Sequence, residues 1–259
     1  MNFIISAKTD IGTTKDTNQD SLSVRVLNTP AGRMVFAVIC DGMGGLSSGE
    51  VASASVVKAF MNWSETELPQ LVSSEIKESI IKAQWTSILK TQNEKIMNYG
   101  KQQGLQKGLG TTAVTMLLTE KRYFILNVGD SRAYEIYDNV RQITIDQTVA
   151  EREVGLGRMT KEQAKHDFRR NVLLQCIGAS AVVVPDMFFG ETKESAVYML
   201  CTDGFRHEIT KDEIWERLNP YVLTGTKVMD NNARYLIELN KQRLEKDNIS
   251  VALIRTFND

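Results

Sequence analysis

The sequence predicts an α+β fold in which antiparallel sheets are covered by helices. Three observations carry that prediction. Apolar, β-branched runs of strand length open and close the chain. Long stretches with helical spacing are grouped between them. Strand and helix do not alternate one for one, as a doubly wound parallel sheet would require.

The first forty residues read as strands: Phe3 to Ala7, Ser21 to Val26 and Met34 to Cys40, with the turn Asn28-Thr29-Pro30-Ala31-Gly32 closing a hairpin. A helix is predicted from about Gly49 to Trp63, because Val51, Ala54, Val57 and Met61 fall on one face. A longer one spans about Ser73 to Tyr99, where Ile76, Ile80, Ile81, Trp85, Ile88 and Leu89 repeat at helical spacing. The stretch from Gly104 to Gly110 ends it. Strands resume at Thr112 to Thr119, Tyr123 to Val128, Arg132 to Tyr137 and Val140 to Thr144. From Gln147 to Asn171 the pattern turns polar and charged, reading as a mobile surface insertion with short helical pieces at best. Strands return at Val182 to Phe189, Ala196 to Cys201 and Ile249 to Arg255, with a helix over Asn231 to Leu244.

The bulk numbers narrow the function. The 259 residues carry 42% hydrophobic and 24% charged side chains, enough apolar material for one sizeable core. A net charge of -1 gives no electrostatic case for nucleic acid or an anionic membrane. No run approaches the roughly 20 apolar residues of a membrane span, and Met1 to Lys8 lacks the form of a secretory leader. Cys40, Cys176 and Cys201 are odd in number and widely spaced, which points to a reducing, cytoplasmic setting.

The chemistry gathers at aspartates beside glycine at the ends of apolar runs. Phe36 to Cys40 leads into Asp41-Gly42-Met43-Gly44-Gly45. Phe124 to Val128 leads into Gly129-Asp130-Ser131. Val197 to Cys201 leads through Thr202 into Asp203-Gly204. Asp20 and Asp247 complete the set. A strand end fixes a side chain, glycine permits close approach, and carboxylates collected this way repel one another unless cations lie between them. The pattern suggests hard divalent metals on oxygen ligands. Each Asp-Gly alone is also a hairpin signal. However, Asp41-Gly42 and Asp203-Gly204 are followed by loops and helices, the latter with an N-cap candidate at Thr210, and not by a returning strand.

These motifs, taken in order, resemble the metal-dependent Ser/Thr protein phosphatases of the type 2C (PPM) family, in particular its bacterial branch. The matching stretches are Thr9-Asp10-Ile11-Gly12 with Asn18-Gln19-Asp20; Asp41 to Gly45 with Gly49-Glu50-Val51-Ala52-Ser53; Gly110-Thr111-Thr112; Val128 to Tyr134; Arg170-Asn171-Val172-Leu173; Cys201 to Gly204; and Asp247-Asn248-Ile249-Ser250. The resemblance implies one domain over 1–259, a four-layer α-β-β-α sandwich of two stacked antiparallel sheets, with the 147–171 insertion as its flap. It implies hydrolysis of phosphoserine and phosphothreonine in proteins by a hydroxide bridging two Mn²⁺ or Mg²⁺ ions. By position, Asp41 bridges the ions, the Gly42 carbonyl binds one, and Asp20, Asp203 and Asp247 hold the other, some through water. Asp130 and Asp203 match a third, looser site of bacterial members. Implied partners are phosphorylated proteins and a Ser/Thr kinase acting on the same substrates, with a monomer as the default state.

Two departures from the family pattern stand out. Lys15 occupies the position where an arginine often clamps the substrate phosphate, and lysine offers a point charge without the bidentate fork; a plain solvated lysine is the alternative. Met43 replaces the histidine of animal members, leaving a metal-bound water to protonate the leaving group. His166 and His207 read as surface or loop residues, Cys176 and Cys201 as core, and Ser131 and Arg132 as structural. The basic flap, with Arg158, Lys161, Lys165, Arg169 and Arg170, either steers acidic phosphorylated segments or merely covers one edge of the site. Two other functions compete: a catalytically weak regulatory binding module, which would be expected to lose metal aspartates, and a phosphodiesterase or nuclease, which lacks its basic, aromatic surface here.

Overall fold

Two five-stranded antiparallel sheets stack face to face, and helices cover the outer face of each. The computed structural model describes residues 1–44, 48–72, 76–105 and 109–258. In chain order these form β1 (Asn2–Asp10), β2 (Ser21–Thr29), β3 (Gly32–Cys40), β4 (Gly42–Met43), α1 (Gly49–Thr66), α2 (Leu68–Leu71), α3 (Glu78–Gln102), β5 (Gly110–Thr111), β6 (Ala113–Leu118), β7 (Arg122–Val128), β8 (Arg132–Ile136), β9 (Val140–Gln142), α4 (Val149–Gly155), α5 (Lys161–His166), β10 (Asp186–Glu191), β11 (Val197–Cys201), α6 (Asp203–Arg206), α7 (Lys211–Leu218), α8 (Thr226–Gln242) and β12 (Ile249–Phe257). One sheet runs β1-β12-β11-β8-β9 and the other β10-β7-β6-β3-β2. The predicted α+β sandwich is the observed one.

Alternation along the central strands builds the layers. In β3, Val35, Ala37 and Ile39 point between the sheets, where they meet Val114, Met116, Tyr198, Leu200, Ala252 and Ile254. The intervening Met34, Phe36, Val38 and Cys40 face the opposite way, against α1 and α3. In β12, Ala252 and Ile254 face the neighbouring sheet while Val251 and Leu253 pack against α6 to α8. A strand buried on both faces reads as a continuous apolar run, which is why β3, β11 and β12 were the clearest in the sequence.

The sequence places the buried face of α1 only in part. Of the predicted stripe, Val51 and Ala54 are exposed and Val57 and Met61 are half-buried against the core, while Ala52, Val56, Phe60 and Trp63 are buried. Two apolar stripes lie one residue apart on this helix, and packing selects the bulkier one. Trp63 stacks 5.4 Å from both Phe36 and Trp85, and Phe60 meets Trp85 edge-on at 6.1 Å. In α3 the buried stripe is Ile81, Trp85, Leu89 and Ile96, while Ile80 is turned outward. That helix starts at Glu78, later than predicted; residues 73–75 lie outside the described residues. The last strand of the second sheet, β10, begins at Asp186 and not at Val182, with Val182 and Val184 exposed. The 147–171 insertion holds α4 and α5, and its root is firm: Gln147 and Thr148 are buried, and Thr148 caps α4 by accepting from the Glu151 amide.

Candidate metal centre

The candidate site forms where the strand ends of both sheets converge with the loop between β1 and β2. Asp41 follows β3 directly, and its backbone is clamped by Gly110-Thr111-Thr112. Thr112 Oγ1 accepts from the Asp41 amide at 3.0 Å, while Thr111 Oγ1 and the Thr112 amide both donate to the Asp41 carbonyl at 2.9 Å. The short ladder β4–β5 seats the next residue, Gly42 opposite Thr111. This ladder is too short for the sequence pattern to reveal. A Cβ on Gly42 would lie 2.2 Å from the Gly49 carbonyl and 2.4 Å from the Gln19 carbonyl, so the chain at this point has room only for glycine.

Asp20 opens β2 and is held from three sides. Asn18 Oδ1 accepts from its amide at 3.1 Å, and Thr202 Oγ1 donates to its Oδ2 at 2.9 Å. Asn248 ties the neighbouring loop down, accepting from the Gln19 amide at 2.8 Å and donating to the Ile11 carbonyl at 2.9 Å. Asp203 begins α6, directly after β11, and Asp247 precedes β12. The loop after β1 rests on Asp247 at Gly12, whose φ of +79 suits glycine.

Burial first, and then the charges of Asp20, Asp203 and Asp247, push the Asp41 carboxyl well above the usual carboxylate range. Asp20 is raised to about 7, chiefly by burial and then by Asp203 and Asp247, although hydrogen bonds from Ser250 and Thr202 pull the other way. Asp20 Oδ1 and Asp203 Oδ1 are buried without a hydrogen-bond partner. Buried, mutually repelling carboxylates with orphaned oxygens are stabilised by a cation between them. Among the described residues no three carboxylate, imidazole or thiol groups form a closed cage on their own. An open oxygen-only set, with water completing each coordination sphere, suits Mg²⁺ or Mn²⁺. The residues present therefore fit such ions.

The remaining predicted residues take their places around this set. Lys15 Nζ lies 2.9 Å from Asp247 Oδ1, with its side chain half-exposed. Burial works to lower the Lys15 pKa, but the hydrogen bond and charge of Asp247, with Asp41 and Asp203 behind it, raise it overall. Asp130 stands near Asp203, and burial followed by the Asp203 charge lifts its carboxyl to about 7 against the pull of Arg206. Ser131 shares a 2.7 Å hydrogen bond with Thr112, and Arg132 forms a bidentate pair with Asp146 at 2.7 Å on both arms. Lys15, Asp203 and Asp247 open onto a cleft of about 1490 Å³, which Lys161, Lys165 and Arg170 of the insertion also line.

Three participants were missed in the sequence. His207, read as a surface or loop residue, is half-buried against the site, with Nε2 3.5 Å from Asp203 Oδ2 and Nδ1 3.3 Å from Glu245 Oε2. Glu245 in turn accepts from the Lys246 and Asp247 amides at 2.7 and 2.8 Å. Arg206 reaches Asp130 and Asp146. A signal was available for two of them: Arg206 and His207 lie three and four residues after Asp203, the spacing that brings side chains to one helix face. His166, by contrast, is exposed as expected. Cys201 is buried, with its thiol pushed up to about 12 by burial, and Cys176 is partly buried.

Comparison with known proteins agrees with this architecture. A model of the protein phosphatase 2C family matches residues 12–241. The chain is 29% identical over 251 residues to the serine/threonine phosphatase stp of Listeria monocytogenes, covering 95% of this chain and 93% of that protein. The serine/threonine phosphatase structure from S. agalactiae superposes with a TM-score of 0.83 at 28% identity, over 98% of this chain and 100% of that one. The catalytic domain of the phosphatase PstP, solved in complex with two manganese ions, superposes with a TM-score of 0.78 at 25% identity, over 99% of this chain and 100% of that one. The converging aspartates, the stacked sheets and the match over most of its length agree: this chain belongs to the protein phosphatase 2C family.

Proposed function

We propose that this protein hydrolyses phosphoserine and phosphothreonine monoesters in proteins with the help of two divalent ions, Mn²⁺ or Mg²⁺. The observation that carries the reading is the convergence of Asp20, Asp41, Asp203 and Asp247, with orphaned oxygens on Asp20 and Asp203, two of its members opening onto a wide cleft. Asp41, the Gly42 carbonyl, Asp20, Asp203 and Asp247 would hold the two ions. When bound, such ions supply Lewis acidity and an acidified water for in-line attack on phosphorus.

The protein's own residues hold that chemistry in place. Thr111 and Thr112 fix the Asp41 backbone, which sets the point from which its carboxylate reaches into the site. Thr202 orients Asp20. Lys15 places an ammonium at the cleft wall, where it supplies charge for an arriving phosphate without a guanidinium's two-pronged grip. Lys161, Lys165 and Arg170, which line the same cleft, favour acidic phosphorylated segments. The partners on this reading are phosphoproteins and a Ser/Thr kinase that marks them, in the cytoplasm.

Hydrolysis of a phosphothreonine peptide with Mn²⁺, with EDTA and in Asp41→Asn tests this. Turnover that needs Mn²⁺ and disappears in the variant is expected. Absence of turnover from folded, Mn²⁺-loaded protein would instead favour a regulatory binding module, and preference for a diester would favour a phosphodiesterase.

A further inference from the structure

Arg206 lies against Asp130, the residue whose position matches a third, looser ion site. Its side chain is only 11% exposed. Nη2 donates to the Asp130 carbonyl at 3.0 Å and lies 3.5 Å from Asp130 Oδ2 and 3.6 Å from Asp146 Oδ2. A buried guanidinium needs a counter-charge. Asp146 is already engaged, since both of its oxygens accept from Arg132. Asp130 is therefore the carboxyl left to face Arg206, so that two aspartates stand against two arginines, with burial and the Asp203 charge holding the Asp130 proton more tightly than usual.

A divalent ion bound to Asp130 would upset that balance, because it would set a second cation beside the carboxylate that Arg206 already faces. Of the carboxylates in contact there, Asp203 is assigned to the two-ion set, and Asp146 is shared between two arginines.

We infer that Arg206 serves as a built-in cation at Asp130, so that this protein takes up two divalent ions and no third one there. The inference rests on the assignment of Asp20, Asp41, Asp203 and Asp247 to a two-ion centre. Because Arg206 sits on α6, three residues after Asp203, its charge is delivered by the same helical turn that delivers a metal ligand.

The test is a metal count by equilibrium dialysis at saturating Mn²⁺, followed by elemental analysis. The wild-type protein and Asp130→Asn are both expected to hold two ions per chain. Arg206→Met, which keeps the side-chain length and removes the charge, is expected to hold three, and the double variant Arg206→Met/Asp130→Asn two again. A wild-type count of three that falls to two in Asp130→Asn overturns the inference, and this comparison requires no change at Arg206. A count of two in folded Arg206→Met overturns it as well. A wild-type count below two removes the two-ion centre on which it rests. Phosphopeptide turnover, measured separately, tests the phosphatase reading without bearing on the count.

Discussion

Thr202 donates its hydroxyl to Asp20 Oδ2 across 2.9 Å, joining residues 182 positions apart in the chain. Thr202 Oγ1 in turn accepts from the Ser250 amide at 3.1 Å, so one threonine ties the end of β11 to the starts of β2 and β12. Removing that hydroxyl leaves the Ser250 side chain alone to orient the Asp20 carboxylate. Thr202→Val is expected to weaken Mn²⁺ binding by on the order of 10-fold, as loss of a group that orients a ligand commonly does. Calorimetric titration checks it, and Thr202→Ser should restore most of the affinity.

The carboxyls of Asp20 and Asp130 lie near 7 in the folded, metal-free protein against an ordinary 3.8, raised mainly by burial. A carboxyl whose folded pKa exceeds its unfolded one contributes fully below the unfolded value, and that contribution is lost as pH rises through the folded value. Between about 4 and about 7, metal-free protein should therefore lose stability as the pH climbs. EDTA-treated protein is expected to melt on the order of 5 °C higher near pH 5.5 than near pH 8. Saturating Mn²⁺ should narrow the gap, because cations bound at the Asp20 set neutralise the charges that repel there. Equal melting temperatures without metal would contradict the burial argument.

Gly12 carries φ +79, and a Cβ there would lie 2.3 Å from the Asp247 carbonyl. Gly12→Ala must push Asp247 or its own loop aside. A stability loss of about 1–2 kcal/mol is expected from the φ alone, with Mn²⁺ affinity falling as Asp247 moves. Thermal melts with and without Mn²⁺ separate the two effects. Equal losses in both would show that Asp247 keeps its place.

Lys15→Ala is expected to raise KM for a phosphopeptide several-fold, on the order of 5-fold, with a smaller effect on kcat, since a point charge at the cleft wall binds phosphate more than it assists its transfer. Lys15→Arg should lower KM below the wild-type value. An unchanged KM in Lys15→Ala would identify a lysine that serves only Asp247.

Away from the site, Thr210 caps α7 in a reciprocal box: it accepts from the Glu213 amide, and the Glu213 carboxylate accepts from the Thr210 amide at 2.8 Å. Thr210→Ala should cost about 1 kcal/mol, a fall of roughly 2–4 °C in Tm for a chain of this size, with turnover unchanged.

The layers and the carboxylates that converge were legible in the linear chain. Strands buried on both faces had to be continuous apolar runs, and an aspartate that follows such a run has its position fixed by the strand. Asp41 and Asp203 were legible for that reason, together with glycines that tolerate close backbone contact, whereas Asp20 and Asp247, which precede their strands, joined the set through the order of motifs. Only the tertiary structure decided which stripe of α1 is buried, because two apolar stripes compete there and the aromatic cluster of Phe36, Phe60, Trp63 and Trp85 settles the choice. It also decided the company each carboxylate keeps. Thr202 and Asp20, His207 and Glu245, and Arg206 with Asp130 and Asp146 are pairings between distant segments. A linear pattern records which residues a segment contributes to the site. Whether an aspartate faces a metal or an arginine depends on how the segments fold together, since electrostatic energy depends on distances in space.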